Sequence, residues 1–104
     1  MYMIKMIVTD LDDTLLNDKQ KVSSYSCSII KRVQKKGILF VIATARSFPA
    51  AAVSIKSINP DWCIYNNGAL TMTKTSKKVA VPIAATIANK FLHELIKDIN
   101  VKTI

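Results

Sequence analysis

The sequence predicts an α/β fold on a parallel sheet, and three observations carry that reading. Two fully apolar runs, ending at Thr9 and Ala43, break off abruptly into polar residues. A strand apolar on both faces is one buried on both faces, as in parallel sheets. Stretches with helical periodicity separate these runs, and strand–helix alternation implies βαβ units.

Tyr2 to Thr9 reads as the first strand, and Leu15 to Lys21 as a polar loop leaving its carboxyl end. Ser23 suits a helix N-cap. The helix then runs from about Ser24 to Lys36, with Ser26, Ile29, Ile30 and Val33 on one face. Gly37 fits the position just past its end. Ile38 to Ala43 is the second strand. Ser47 caps a second helix with Pro49 in its first turn and Ala52, Ile55 and Ile58 inside. Asn59-Pro60-Asp61 breaks that helix, and Trp62 to Tyr65 is a short third strand ending in Asn66-Asn67-Gly68. Right-handed crossovers put the three polar ends on the same edge. After Gly68 the pattern becomes a hairpin, with Ala69–Thr73 and Val79–Ile83 around a turn at Lys74–Lys78. Ala84 to Asn100 is amphipathic, with Ile87, Phe91, Leu92, Leu95, Ile96 and Ile99 at helical spacing. Val101 to Ile104 alternates like a further strand.

With 104 residues, half of them hydrophobic, the chain suffices for one modest domain. Its formal charge is +8, but the lysines are scattered, and the cluster Lys31-Arg32 with Lys35-Lys36 falls late in a helix, where cations complement the dipole. No nucleic-acid recognition motif or aromatic stacking pattern accompanies the charge, which argues against nucleic acid as a partner. Cys27 and Cys63 form no CxxC pair, so small reduced thiols in a cytoplasmic protein are expected. No run approaches the ~20 apolar residues of a membrane span, so no membrane partner is expected.

The predicted strand ends bring together Asp10, Asp12, Thr44, Arg46 and Asn67. Open α/β sheets bind ligands at such ends. Two carboxylates one residue apart suit a division of labour, one attacking an electrophile and the other moving a proton. Hard oxygen ligands there also suit Mg²⁺. A hydroxyl such as Thr44, beside backbone N–H groups, can hold phosphoryl oxygens.

Asp10-Leu11-Asp12-Asp13-Thr14 resembles DxDxT, the first motif of the haloacid dehalogenase (HAD) superfamily, and Ile42-Ala43-Thr44-Ala45-Arg46 resembles its second-motif segment IATGR. Asn59-Pro60-Asp61 and Asn66-Asn67-Gly68-Ala69 resemble the segments that follow in the Cof-type sugar-phosphatase branch. The likeness covers most of residues 3–83. It implies a partial Rossmann-like three-layer core over residues 1–80, and the start of an α/β cap over 81–104. It further implies that Asp10 is the nucleophile, forming an aspartyl-phosphate, and that Asp12 is the acid and base. Asp10 and the Asp12 backbone carbonyl would hold Mg²⁺. Thr44 would bind the phosphoryl group, with Arg46 and Asn67 near a small phosphorylated substrate. Ala45 stands where the family has glycine. If that position needs a positive φ, alanine costs about 1 kcal/mol; if it needs only close approach, the methyl crowds the phosphate.

The superfamily's third-motif lysine and fourth-motif acids lie beyond a large cap in Cof-type proteins, and no counterpart is found before Ile104. Two readings follow: a phosphatase portion with very low activity alone, or a catalytically dead remnant that binds phosphate, metal or a protein. The likeness also implies that the strand Ile4–Thr9, central in the family's sheet, becomes an edge here. Self-association through that edge is one expectation, and a portion of a larger protein cut short is the other.

Overall fold

A strand begins shortly after Gly37 and directly after Asn59-Pro60-Asp61, as the pattern predicts. The computed structural model describes residues 3–75, 77–80 and 84–98. β1 (Met6–Thr9) is shorter than the apolar run that predicts it, because its ladder to the next strand spans only Met6 opposite Leu39 to Thr9 opposite Ile42. α1 (Ser24–Lys35) starts where Ser23 Oγ accepts from the Ser26 N–H at 3.1 Å. Of its predicted inner face Ile30 is buried, and Ser26, Ile29 and Val33 are half-buried. It stops at Gly37, whose φ of +81° lies where a side chain is strained.

β2 (Leu39–Ala43) follows, then α2 (Phe48–Ala52), capped by Ser47 accepting from the Ala50 N–H. The inner face of α2 differs from expectation at one position. Ala51, not Ala52, is fully buried, together with Ile55. The regular helix also ends at Ala52 and the chain passes into turns, yet Ile55 is buried and Ile58 packs against the core as expected. β3 (Trp62–Tyr65), β4 (Leu70–Thr73) and β5 (Lys78–Ala80) complete the sheet, and α3 (Ala85–Asp98) follows. The final strand expected over 101–104 lies outside the described residues, as do positions 81–83 of the hairpin.

The sheet runs β1-β2-β3-β4-β5. The first three strands are parallel and the last two antiparallel, as the βαβ pattern and the hairpin predict. α1 and α2 cover one face. There Ile30, Ala51 and Ile55 pack against Phe40, Ile42, Cys63, Tyr65 and Met72. Among the described residues the opposite face is bare at its edges: Met6, Val8, Leu39 and Trp62 are each more than a third exposed. Among the described residues β1 is an edge strand, as expected. The apolar stripe of α3 is not buried against the described residues, since Ile87, Phe91, Leu92 and Ile96 are all at least half exposed.

An Asp61 cluster ties α1 to the sheet. Its carboxylate accepts from the Phe40 N–H at 2.8 Å, from Gln34 at 3.2 Å and from Lys74 at 2.9 Å. Cys63 is buried and Cys27 partly so, and both are free thiols.

Candidate functional site

Two leucines aim the acids. Leu11 is wholly buried and Leu16 nearly so. The Leu16 N–H donates to the Leu11 carbonyl at 3.0 Å, closing a wide turn. With both ends pinned in the core, Asp12 and Asp13 must face outward, and both are exposed. The turn is not regular helix. Asp12 has ψ 131° and Asp13 has φ +59°, a left-handed conformation that aspartate tolerates better than most residues. Asp10 follows β1 in extended backbone, and its Oδ1 accepts from the Leu11 N–H at 2.7 Å.

The ends of β2 and β3 are laced together. The Thr44 N–H donates to the Ile64 carbonyl at 2.9 Å, the Asn66 N–H to Arg46 at 3.0 Å and the Asn67 N–H to Thr44 at 3.2 Å. Three consecutive left-handed residues make this possible: Asn66 at φ +52°, Asn67 at +54° and Gly68 at +101°. Asparagine and glycine are the residue types that enter this region most readily. Thr44 is buried, and its Oγ1 accepts from the Arg46 N–H at 3.0 Å. That bond uses a lone pair, so the hydroxyl hydrogen is left to donate.

A cavity of about 450 Å³ opens at this edge, lined by Asp10, Asp12, Thr44, Ala45, Asn67 and Gly68 among others. Four of the five residues singled out in the sequence thus meet at one cavity. Ala45 is not in the left-handed region, so alanine carries no backbone strain there. The remaining consequence of that substitution is its position in the cavity lining.

Arg46 is placed differently. It does not line the cavity but runs along the Asp12 carboxylate. Nε donates to Oδ2 at 2.9 Å and Nη2 to Oδ1 at 2.5 Å. These charge-assisted bonds hold the Asp12 carboxyl below the usual carboxylate range and raise Arg46 further. Gln20 and Ser54 also hold Arg46. Sequence reading missed both, since they lie 26 and 8 residues away with no motif to mark them.

The oxygen donors fit Mg²⁺ in kind. The Asp10 carboxylate and the Asp12 carbonyl would hold it, and Mg²⁺ commonly takes one or two carboxylates, waters and a substrate phosphate. Among the described residues no group of three or more His, Cys, Asp or Glu side chains gathers into a metal cluster.

The model of the haloacid dehalogenase-like hydrolases matches residues 7–104, which include every residue lining the cavity. The chain belongs to that family. A Buchnera aphidicola (subsp. Baizongia pistaciae) protein with a provisional phosphatase name is 35% identical to this HAD-like chain over 96 residues, 91% of the chain and 35% of that protein. The 5-amino-6-(5-phospho-D-ribitylamino)uracil phosphatase YcsE of Bacillus subtilis is 43% identical over 44 residues, 42% of the chain and 18% of that protein. Among solved structures, a HAD superfamily phosphatase from Bacteroides thetaiotaomicron superposes with a TM-score of 0.79 at 32% identity, over 91% of this chain and 36% of that one. The HAD-like chain therefore spans about a third of the length of the relatives it matches along most of its own. No helix among the described residues is long and apolar enough to cross a membrane.

Proposed function

We propose that this chain is the nucleophile-bearing portion of a Mg²⁺-dependent phosphatase of small phosphorylated metabolites, of the Cof-type branch. One observation carries the reading: Asp10, Asp12 and Thr44, whose hydroxyl is free to donate, line a single cavity. The relatives' names, phosphatases among them, support it.

In this reading an Asp10 oxygen attacks phosphorus, the bond to the leaving oxygen breaks, and Asp12 gives that oxygen its proton. Asp12 then takes a proton from water, whose oxygen attacks phosphorus and frees Asp10 and inorganic phosphate. Thr44 orients a phosphoryl oxygen throughout. When bound, Mg²⁺ neutralises phosphate charge beside Asp10. Among the described residues no lysine and no third carboxylate lines the cavity, so slow hydrolysis by this chain alone is expected, because such electrostatic terms are large.

The test is release of phosphate from p-nitrophenyl phosphate with Mg²⁺. Slow release lost in Asp10→Asn is expected, and equal release by parent and variant would overturn the reading. A second reading, a phosphate-binding remnant without turnover, is supported by the cavity lining, which among the described residues holds two carboxylate residues and no lysine. Turnover at ordinary enzymatic rates would exclude it.

A further inference from the structure

We infer that Gln20 and Ser54 are positioning residues, which act through Arg46 to fix the side-chain conformer of Asp12, and that Arg46 serves this acid instead of the substrate. The first support is a donor count. A guanidinium has five N–H donors in a rigid fork, and here each has an acceptor. Nε and one Nη2 hydrogen go to Asp12. The other Nη2 hydrogen goes to Gln20 Oε1 at 2.5 Å. Nη1 donates to the Ala50 carbonyl at 3.3 Å and to Ser54 Oγ at 3.2 Å. No donor is left over for a phosphate.

The second support is backbone strain. Gln20 sits at φ +61°, a region that glycine enters freely and glutamine does not. The turn around it is tightly made: Asn17 Oδ1 accepts from the Lys19 and Lys21 N–H groups, and the Gln20 N–H donates to the Asn17 carbonyl. The backbone would be relaxed by glycine, yet the side chain present is one that reaches Arg46. Strain of this kind persists where surrounding structure holds it. Ser54, buried outside both motif segments, is the other fixed point.

The Asp12 side chain is 46% exposed, so without the fork it would sample several rotamers. Holding an acid to one geometry is how an active site avoids reorganisation during reaction.

The role given to Asp12 rests on the phosphatase reading, but the test does not. NMR of the full chain can follow the Arg46 Nε–H and Nη resonances and the three-bond couplings that report Asp12 χ1. The parent should show distinct Nη resonances and one Asp12 rotamer. Gln20→Gly should merge the Nη resonances and average the couplings while leaving the unfolding temperature equal or higher, because glycine relaxes that turn. Gln20→Glu, which still offers an acceptor, should restore the parent signature. Inorganic phosphate should leave the Arg46 resonances in place. An unchanged signature in Gln20→Gly, a failed rescue by Gln20→Glu, or displacement of Arg46 from Asp12 by phosphate would each overturn the assignment. These readouts need no turnover, so they stand or fall apart from hydrolysis.

Discussion

The Asn67 backbone N–H donates to the Thr44 carbonyl oxygen at 3.2 Å, so the loop after β3 is registered directly on the residue that follows β2. The bond forms because Asn67 is left-handed, at φ +54°. A β-branched side chain there meets the following carbonyl. Asn67→Val should therefore cost about 1–2 kcal/mol, while Asn67→Gly should unfold near the parent's denaturant midpoint. Urea titration of the two variants separates this backbone requirement from any side-chain role at the cavity.

The Thr44 hydroxyl supplies the next prediction. Its oxygen is occupied by the Arg46 N–H and its hydrogen is available. A hydrogen bond to a charged group contributes about 1.5–3 kcal/mol. Thr44→Val should weaken inorganic phosphate binding by about ten- to a hundredfold, on the conversion of 1.4 kcal/mol per tenfold. Thr44→Ser should retain most of it. Chemical-shift titration with phosphate checks both, and equal affinity in parent and Thr44→Val would remove Thr44 from the binding site.

Asp61 makes a prediction about pH. Burial alone would raise its carboxyl, but the Phe40 N–H, Lys74 and Gln34 outweigh burial and hold it below the usual range. The folded value is thus below the unfolded one, about 3.9. The stabilisation is complete above that value and is lost as pH falls through the folded one. Asp61→Ala also strands the Phe40 N–H, at a cost of about 1–3 kcal/mol near neutral pH. Thermal unfolding followed from pH 7 to pH 2 should show the parent losing this advantage over Asp61→Ala below about pH 4.

How much of this was legible in the sequence depended on range. The strands, the first helix and the hairpin follow from apolar period, caps and turn residues, all local. The cavity was legible as well, because parallel strands force their carboxyl ends to one edge and the polar residues Asp10, Asp12, Thr44 and Asn67 stand at those ends. What the sequence could not show was direction. Arg46 shares the strand end with Thr44 but turns along Asp12, because Gln20, Ala50 and Ser54 offer acceptors on that side. At α2 the fully buried alanine is Ala51 and not Ala52, because so short a helix carries too little pattern to choose between neighbouring alanines. Burial of α3 could not be read either, since amphipathic spacing states which face seeks cover and not what supplies it.

The position of β1 at the edge of the sheet among the described residues carries the last prediction. We propose that two copies pair antiparallel along it. With Ile7 opposite Ile7 of the second copy, Lys5 falls opposite Thr9 and Met6 opposite Val8, so the lysines do not meet. Met6 and Val8, 49% and 54% exposed here, would then cover each other across the joint. Each copy carries a formal charge of +8, so association should strengthen with salt as that repulsion is screened. Val8→Lys sets a like charge on the joint and should cost the monomer little, since half-exposed surface changes usually lie within about 0.5 kcal/mol. Light scattering across concentration should show the parent's mass rising toward twice the monomer's and Val8→Lys remaining single. A parent that stays monomeric at high salt, or a Val8→Lys variant that associates equally well, would rule the pairing out.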